Sequence, residues 1–305
     1  MELSVVIPLF NEEYLIDDLV GRMVPVLKSI TDDFEIIFVD DGSKDGTVAK
    51  LCEARKTEKR IKILELSKNF GHQAAFTAGL TFAKGRFTVM IDGDLQDPPE
   101  LIPVMYRMLR SDEFDIIFGK RTNKPNLKGR NLLAFSFHRA FKKFTGFPDI
   151  ENSGNFSAMN RDALVALLQF TESIRYLPGL RHFIGFRQGF VEYRREERYL
   201  GKSKMNYFKL LTLSSDAIFS FSKLPVRLCL YLGVLGIVVF FIAGLYTLVA
   251  KLAGFAVIGW SSTLLSIYFL GSIQLTFMGV IGEYIFRIYK ESQRRPLYFV
   301  RKYHD

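Results

Sequence analysis

The stretch VMIDGDLQDPPE, from Val89 to Glu100, begins as an apolar β-strand and ends as a turn that carries three aspartates. The carboxylates of Asp92, Asp94 and Asp97 repel one another unless a positive group lies among them. Asp92 and Asp94 are one residue apart and can both face one hard divalent cation, for which carboxylate oxygens are suitable ligands. An Asp-x-Asp turn also occurs without metal, because aspartate and glycine favour turns. The surrounding sequence therefore has to decide between a metal site and an ordinary turn.

Other short runs rich in valine, isoleucine and phenylalanine lie on either side of this stretch, separated by segments that suit helices. The runs are LSVVIPLF, FEIIFVD, IKILEL, RFTVMID and FDIIFG, and the helical segments include Glu12–Ile30, Thr47–Glu58 and Gln73–Lys84. Alternating strands and helices predict an α/β fold with a mostly parallel sheet that is covered on both faces. In such sheets, ligands bind beyond the carboxyl ends of the strands. Polar clusters follow the first, second and fourth runs, so we expect a site there.

The chain of 305 residues has a net charge of +9, which favours an anionic partner such as nucleic acid, a membrane surface or a phosphorylated substrate. Residues 119–146 contain eight lysines and arginines and no acidic residue. A nucleic-acid partner is disfavoured because no recognition motif accompanies this basic segment. Cys52 and Cys229 lie in segments of opposite character, which argues against a structural disulfide and favours a reducing compartment.

Two long segments near the C-terminus lack charged residues. One is Leu228–Ala250, and the other is Leu252–Gly282, around which we predict a turn near Phe255–Ser262 and a span at about Thr263–Phe286. Each span is long enough to cross the hydrocarbon core of a bilayer. Lysines and arginines flank the outer ends of both spans and are scarce between them, so the positive-inside rule places both termini in the cytoplasm. The sequence predicts a membrane hairpin.

Five ordered sequence blocks resemble the family 2 glycosyltransferases with a GT-A fold, which is Rossmann-like. The blocks are SVVIPLFNEE, IIFVDDGSKDGT, LSKNFGHQAAFTAGL, DGDLQDPPEL and RYLGKSKM. The hairpin and the closing GEYIFRIYKESQRRPLYFV are similar to the polyprenyl-phosphate branch, which includes dolichyl-phosphate mannose synthase and bacterial undecaprenyl-phosphate glucosyltransferases. The resemblance implies inverting sugar transfer from a nucleotide-sugar donor, preferably UDP-linked, to polyprenyl phosphate. It also implies a multi-pass protein of the bacterial inner (plasma) membrane that serves cell-envelope glycan modification.

The resemblance implies a role for each residue that matches a family motif. Asp92 and Asp94 would hold Mg²⁺ or Mn²⁺, Gln96 would lie beside the donor sugar, and Arg121 and Arg130 would lie near the acceptor phosphate. The implied catalytic residues are Asp94, Gln96, Arg121 and Arg130. The implied donor-binding residues are Pro8, Phe10, Glu12, Asp40, Asp41, Asp92, Arg198, Lys202 and Lys204. Without the resemblance, the same residues are also consistent with ordinary turns, a solvated basic face and a basic linker before the membrane.

The sequence NSGNF departs from the family pattern. Asn152 and Asn155 stand where relatives often carry aspartate, so the family's candidate base is missing there, although Asp149 and Glu151 lie nearby in the sequence. A lipid monophosphate has a second pKa near 6 and is largely dianionic at neutral pH. Such an acceptor needs positioning and charge compensation, and it needs no base.

The domain organisation that we predict is a cytoplasmic catalytic domain at 1–205, a juxtamembrane amphipathic helix at 206–225, a transmembrane hairpin at 226–287 and a basic tail at 288–305. Its expected partners are the donor, the acceptor, membrane lipids, further copies of the chain and a flippase. One alternative is a non-catalytic, membrane-anchored sugar-nucleotide sensor or scaffold partner of a flippase. A processive polysaccharide synthase is disfavoured because its Gln-x-x-Arg-Trp motif is missing; the single tryptophan, Trp260, lies in the predicted membrane turn.

Overall fold

All five apolar runs form strands in the computed structural model, which describes residues 1–122, 153–173, 175–194, 224–253 and 259–305. The strands are β1 (Leu3–Leu9), β2 (Phe34–Asp40), β3 (Ile61–Leu66), β4 (Phe87–Met90) and β5 (Ile116–Arg121). Every residue of β1, β2 and β4 is buried. This burial explains why the runs are apolar throughout, since both faces of a central parallel strand are covered.

The predicted helices also form, with shifted ends. They are α1 (Ile16–Lys28), α2 (Thr47–Thr57) and α3 (His72–Phe82). Three further helices, which were not named from the sequence, are α4 (Ile102–Arg110), α5 (Arg161–Leu168) and α6 (Leu177–Phe183). A 3-10 turn at Glu13–Leu15 precedes α1, which therefore starts later than the predicted Glu12. On one sheet face, Val5 and Ile7 pack with the apolar side of α1 and α4. On the other, Gly79 of α3 lies so close that a Cβ there would be 2.3 Å from Val6 Cγ1.

Three further strands complete an eight-stranded sheet. They are β6 (Ser153–Asn160), β7 (Gln188–Tyr193) and β8 (Val300–His304), and the strand order is β7-β5-β6-β4-β1-β2-β3-β8. The parallel pairs are β1–β2, β1–β4, β2–β3 and β5–β7. Strand β6 is antiparallel to β4 and β5, and β8 is antiparallel to β3. The mostly parallel α/β sheet is confirmed, whereas the antiparallel strands were not predicted.

The C-terminal residues, which the sequence assigned to a basic tail, contribute the edge strand β8. Before it, the Ser67 backbone N–H donates to the Phe299 carbonyl over 2.9 Å, and the Phe299 ring lies 6.2 Å from that of Phe70. At its end, His304 Nε2 lies 2.5 Å from Glu65 Oε1. Strand β8 thus covers the backbone groups that β3 would otherwise expose at the sheet edge.

The described residues fall into two compact units. The first contains the residues up to 194 together with 295–305, and the second contains 224–294. The second unit is a pair of helices, α7 (Leu224–Leu252) and α8 (Trp260–Ser292), that contact each other.

In the described part of the chain, one helical segment, Ser266–Ser292 of α8, is long and apolar enough to cross a membrane. An apolar segment of α7, Tyr231–Ala243, is shorter. Trp260 begins α8, so it lies in the helix and not in the predicted turn. The second of the two predicted spans therefore lies within a helix of suitable length, and the two-span hairpin stays a prediction.

Candidate active site

The carboxyl ends of β1 and β2 carry loops that hold each other through hydrogen bonds from backbone N–H groups to side-chain oxygens. The Asn11 N–H donates to Ser43 Oγ over 2.9 Å, and the Lys44 N–H donates to Asn11 Oδ1 over 2.8 Å. The Glu12 N–H donates to Thr47 Oγ1 over 3.0 Å. Asn11 has a φ of 53°, a left-handed conformation that asparagine tolerates better than most residues. These contacts fix the segment that holds Phe10 and Glu12, two residues of the predicted donor site.

Asp40 ends β2 and Asp41 follows it, and each is only 3% exposed. Both oxygens of Asp40 accept from the Ser43 N–H, and Asp41 accepts from the N–H groups of Phe70 and Gly71 over 2.7 and 3.0 Å. Burial raises the pKa of both carboxyls, and these hydrogen bonds oppose the rise only partly. The predicted nucleoside-binding pair thus also ties the second loop to the start of α3.

The turn from Asp92 to Asp97 has two faces. Asp92, Asp94 and Gln96 are partly exposed, whereas Gly93, Leu95 and Asp97 alternate with them and are buried. A Cβ on Gly93 would lie 2.4 Å from Leu9 Cδ2, so glycine lets the turn pack against the end of β1. The alternation brings together three of the predicted site residues on one accessible face at the carboxyl edge of the sheet.

Two side chains from other elements hold the Asp92 carboxylate. His72 Nε2 and Asn155 Nδ2 lie 3.0 and 3.2 Å from Asp92 Oδ1, and they lie 3.0 Å from each other. An ionised carboxylate only accepts, so His72 Nε2 must carry a proton and donate to it. The contact between the two nitrogens is then a close approach and not a hydrogen bond.

The same arrangement sets the protonation of both groups. Burial raises the pKa of Asp92, but His72 and the Asn155 amide outweigh it, so the net pKa is lowered. Burial lowers the pKa of His72, but Asp92 and the nearby Asp41 and Asp94 outweigh it, so the net pKa is raised. Both shifts favour an ionised Asp92.

The donor set fits a magnesium or manganese ion that is shared with a substrate phosphate. The described residues contain no cluster of three or more histidine, cysteine or acidic side chains that would hold a metal by themselves. Mg²⁺ commonly takes one or two carboxylates and completes its shell with water and substrate phosphates. Within the described residues, both partners of the Asp92 carboxylate contact Oδ1, which leaves Oδ2 for a cation.

Asp97 faces the other way and forms a buried cluster with Arg121 and Tyr193. The Tyr193 hydroxyl donates to Asp97 Oδ1 over 2.5 Å, Arg121 Nη2 lies 3.4 Å from both Asp97 oxygens, and Arg121 Nε donates to the Tyr193 hydroxyl over 3.2 Å. Burial and the neighbouring Asp97 raise the pKa of Tyr193, so the phenol stays protonated. Arg121 thus neutralises Asp97 on the buried face of the turn.

Sequence reasoning missed three residues of this region: His72, Tyr193 and Arg181. The Arg181 side chain is fully buried on α6, where Nη1 donates to the Asn155 carbonyl and Nη2 to the Gly154 carbonyl, each over 2.8 Å. The position of His72, directly after the third strand and its loop, was a usable signal because that loop reaches the same sheet edge. For Tyr193 and Arg181, no local pattern gave a signal.

Several predicted residues lie outside the part of the chain that the structure describes. They are Arg130, Asn152, Arg198, Lys202 and Lys204, together with most of the predicted juxtamembrane helix. Among the residues that are described, the structure brings together Pro8, Phe10, Glu12, Asp40, Asp41, Asp92, Asp94, Gln96 and Arg121 at one edge of the sheet.

Comparisons with known proteins show which family the chain belongs to. Residues 4–168 match the family described as Glycosyl transferase family 2. An uncharacterized glycosyltransferase of Synechocystis is 39% identical over 98% of this chain and 95% of its own length. A prophage bactoprenol glucosyl transferase homolog of Escherichia coli is 36% identical over 99% of both chains.

A solved structure shares the fold. It is glucosyl-3-phosphoglycerate synthase from Mycobacterium tuberculosis in complex with Mn²⁺, UDP and phosphoglyceric acid, with a TM-score of 0.55 and 18% identity. The likeness covers 71% of this chain and 76% of that one. At 18% identity this likeness shows the fold alone. The family match and the two relatives show the family. The chain is a transferase that belongs to glycosyl transferase family 2.

Proposed function

We propose that this chain transfers a sugar, with inversion, from a UDP-linked donor to polyprenyl phosphate at the cytoplasmic face of the bacterial plasma membrane. The observation that carries the proposal is the accessible face of the turn, where Asp92, Asp94 and Gln96 lie together at the carboxyl edge of the sheet. The name of the Escherichia coli relative, a bactoprenol glucosyl transferase homolog, supports a lipid phosphate acceptor and makes glucose the first sugar to test.

In this proposal, Asp92 and Asp94 hold Mg²⁺ or Mn²⁺, which neutralises the charge that develops on the departing nucleoside diphosphate. The Mn²⁺ and UDP in the solved structure of the same fold support this assignment. Glu12, Asp40 and Asp41 contribute to the nucleotide site from the first two loops. The basic residues Arg198, Lys202 and Lys204 are proposed to bind the diphosphate of the donor.

Arg121 is proposed to bind the acceptor phosphate together with Arg130. Within the described residues, the contacts of Arg121 use Nε and Nη2, which leaves the Nη1 donors for a phosphate oxygen. An arginine fork suits phosphate because it presents several donors in a fixed plane. Asn155 lies against Asp92 and cannot act as a base, which agrees with an acceptor phosphate that is already dianionic.

The helices of the second unit support membrane attachment. Large apolar side chains on both helices are strongly exposed within this unit, for example Tyr246, Leu252 and Leu275. Such surfaces need an apolar environment. We propose that α7 and α8 both cross the bilayer and leave both termini in the cytoplasm, where the basic residues that follow α8 meet anionic lipids. Association of several copies and cooperation with a flippase belong to the same proposal.

The test is to incubate the purified full chain with undecaprenyl phosphate, Mn²⁺ and a panel of radiolabelled sugar nucleotides. We expect one labelled lipid, obtained with UDP-glucose and abolished by EDTA. An Asp94→Asn variant is the inactive control. Labelled lipid that persists in EDTA would refute the metal assignment. Nucleotide binding without any lipid product would instead favour the sensor or scaffold alternative.

A further inference from the structure

The Asp92 carboxylate is held on one oxygen by two donors that come from different parts of the fold. His72 begins α3, and Asn155 lies on β6, which pairs antiparallel with β4 just before Asp92. Both meet Oδ1, at 3.0 and 3.2 Å. Two donors on one oxygen hold that oxygen in place, and within the described residues both contacts leave Oδ2 outside the pair.

The backbone of Asn155 is in turn held by the buried Arg181 guanidinium. Arg181 donates to the carbonyls of Asn155 and Gly154 and also to Ser157 Oγ, and its guanidinium lies 5.3 Å from the centre of the Phe118 ring. In the described part of the chain, no carboxylate pairs with Arg181, so its donors go to the backbone and to a hydroxyl. A fully buried arginine is costly unless such donors are satisfied. The hydrogen bonds from Arg181 therefore fix the segment of β6 that carries Asn155.

We propose that His72 and Asn155 are positioning residues that orient Asp92 for the metal, with Arg181 holding Asn155 in place. The inference rests on the proposed metal-dependent transfer and extends it to residues that do not touch the metal. It assigns Asn155 an orienting role at a position where a base is expected from the family resemblance. Partners of metal-binding groups commonly change metal affinity by about 10- to 100-fold when they are removed.

Asn155→Asp is the decisive variant because the two roles predict opposite results. If Asn155 orients Asp92, a carboxylate in its place repels Asp92 and removes a donor, so Mn²⁺ affinity falls. If the position calls for a base or a further ligand, the aspartate raises turnover or tightens Mn²⁺ binding. Asn160→Asp is the matched control, since Asn160 lies on the same strand and its amide donates to Asp115 over 2.9 Å. It places a second carboxylate against Asp115, away from the site.

The measurement is a titration of the purified full chain with Mn²⁺ in the presence of UDP, followed by electron paramagnetic resonance of the free ion. We expect about 10- to 100-fold weaker binding for Asn155→Asp, about 10-fold for Asn155→Ala and no change for Asn160→Asp. Wild-type affinity in both Asn155 variants, or tighter binding in Asn155→Asp, would overturn the inference. Thermal melting of each variant checks that it is folded, and Asn155→Ala carries the test if Asn155→Asp does not fold.

His72 gives a second, independent readout. We expect His72→Ala to weaken Mn²⁺ binding and His72→Gln to restore part of the affinity, because a glutamine amide can still donate to Asp92. Equal affinity in wild type and His72→Ala would remove His72 from the proposal. If the wild-type chain binds Mn²⁺ with UDP but forms no lipid product, the proposed function fails while the orienting role stands. If the wild type binds no Mn²⁺, both fail.

Discussion

The accessible and the buried faces of the turn from Asp92 to Asp97 use the same residue type for different tasks. On the accessible face, Asp92 and Asp94 lie next to Gln96, and we propose that they bind a cation there. On the buried face, Asp97 is fully enclosed and pairs with Arg121 and Tyr193. The three aspartates are chemically identical, so their roles follow from which way each one points.

The difference shows how the turn limits its own repulsion. Arg121 compensates the buried carboxylate inside the protein, whereas on the accessible face His72 and Asn155 hold Asp92 beside the proposed cation site. Removing one partner of a buried ion pair leaves the other charge buried and uncompensated, which destabilises the fold. The two faces should therefore respond differently to the same change from aspartate to asparagine, in activity on one side and in stability on the other.

The largest expected effect is the loss of activity in Asp94→Asn. The substitution removes a carboxylate from the proposed metal site, and loss of charge stabilisation of several kcal/mol corresponds to about a 1,000-fold or greater fall in turnover. Because the side chain is partly exposed, the melting temperature should change little. Turnover with labelled donor and thermal melting of the same preparation check both expectations. A variant that melts much earlier than the wild type would contradict the division of roles.

Asp97→Asn should show the opposite pattern, with stability as the main loss. The asparagine fits the same space but leaves the Arg121 guanidinium without its negative partner, which costs about 3 kcal/mol for a largely buried pair. Thermal melting measures the loss, and a Mn²⁺ titration should give an affinity close to that of the wild type. A wild-type melting temperature would show that Asp97 does not stabilise this part of the fold.

The sequence predicted most of the strands and helices that build this edge of the sheet. Each apolar run forms a strand, and the polar residues that follow β1, β2 and β4 lie at the same edge because parallel strands end together. Asp92, Asp94 and Gln96 lie on one accessible face, and their roles at the metal and the donor sugar stay predictions. These features depend on neighbours in the chain, and that is why local patterns were sufficient.

What the sequence did not predict depends on contacts between distant segments. Strand β8 pairs with β3 across more than half of the chain, and no local pattern in VRKYH indicates that partner. Tyr193 and Arg181 reach the site from elements far along the chain. Asn155 was interpreted as the loss of a base, whereas the structure gives it a contact with Asp92. Such roles become visible only when the packing is known.

Tyr193→Phe tests the buried face of the turn separately, because it removes hydrogen bonds there without changing the charge. Phenylalanine keeps the ring but removes the hydroxyl that donates to Asp97 and accepts from Arg121. Loss of a hydrogen bond to a charged group costs about 1.5–3 kcal/mol, so the melting temperature should fall by less than in Asp97→Asn. Mn²⁺ affinity should stay at the wild-type value. A fall in Mn²⁺ affinity similar to that expected for Asn155→Ala would mean that the two faces of the turn are coupled.

Glu58 provides the reference for a carboxylate in an ion pair far from the turn, and its expected effect is the smallest. Its carboxylate accepts from Arg60 Nε over 2.7 Å and lies 3.3 Å from Lys28 Nζ, and the Arg60 hydrogen bond is the main cause that lowers its pKa from 4.5 to about 2. A lowered pKa in the folded state means that the stabilisation is complete above pH 4.5 and is lost as the pH falls towards 2. Glu58→Gln should therefore be less stable than the wild type by about 1–2 kcal/mol at pH 7, a value reduced by solvent near the surface. Thermal melting at pH 7, 4 and 3 should show this gap becoming smaller below pH 4.5, and a gap that is constant with pH would assign the loss to packing and not to charge.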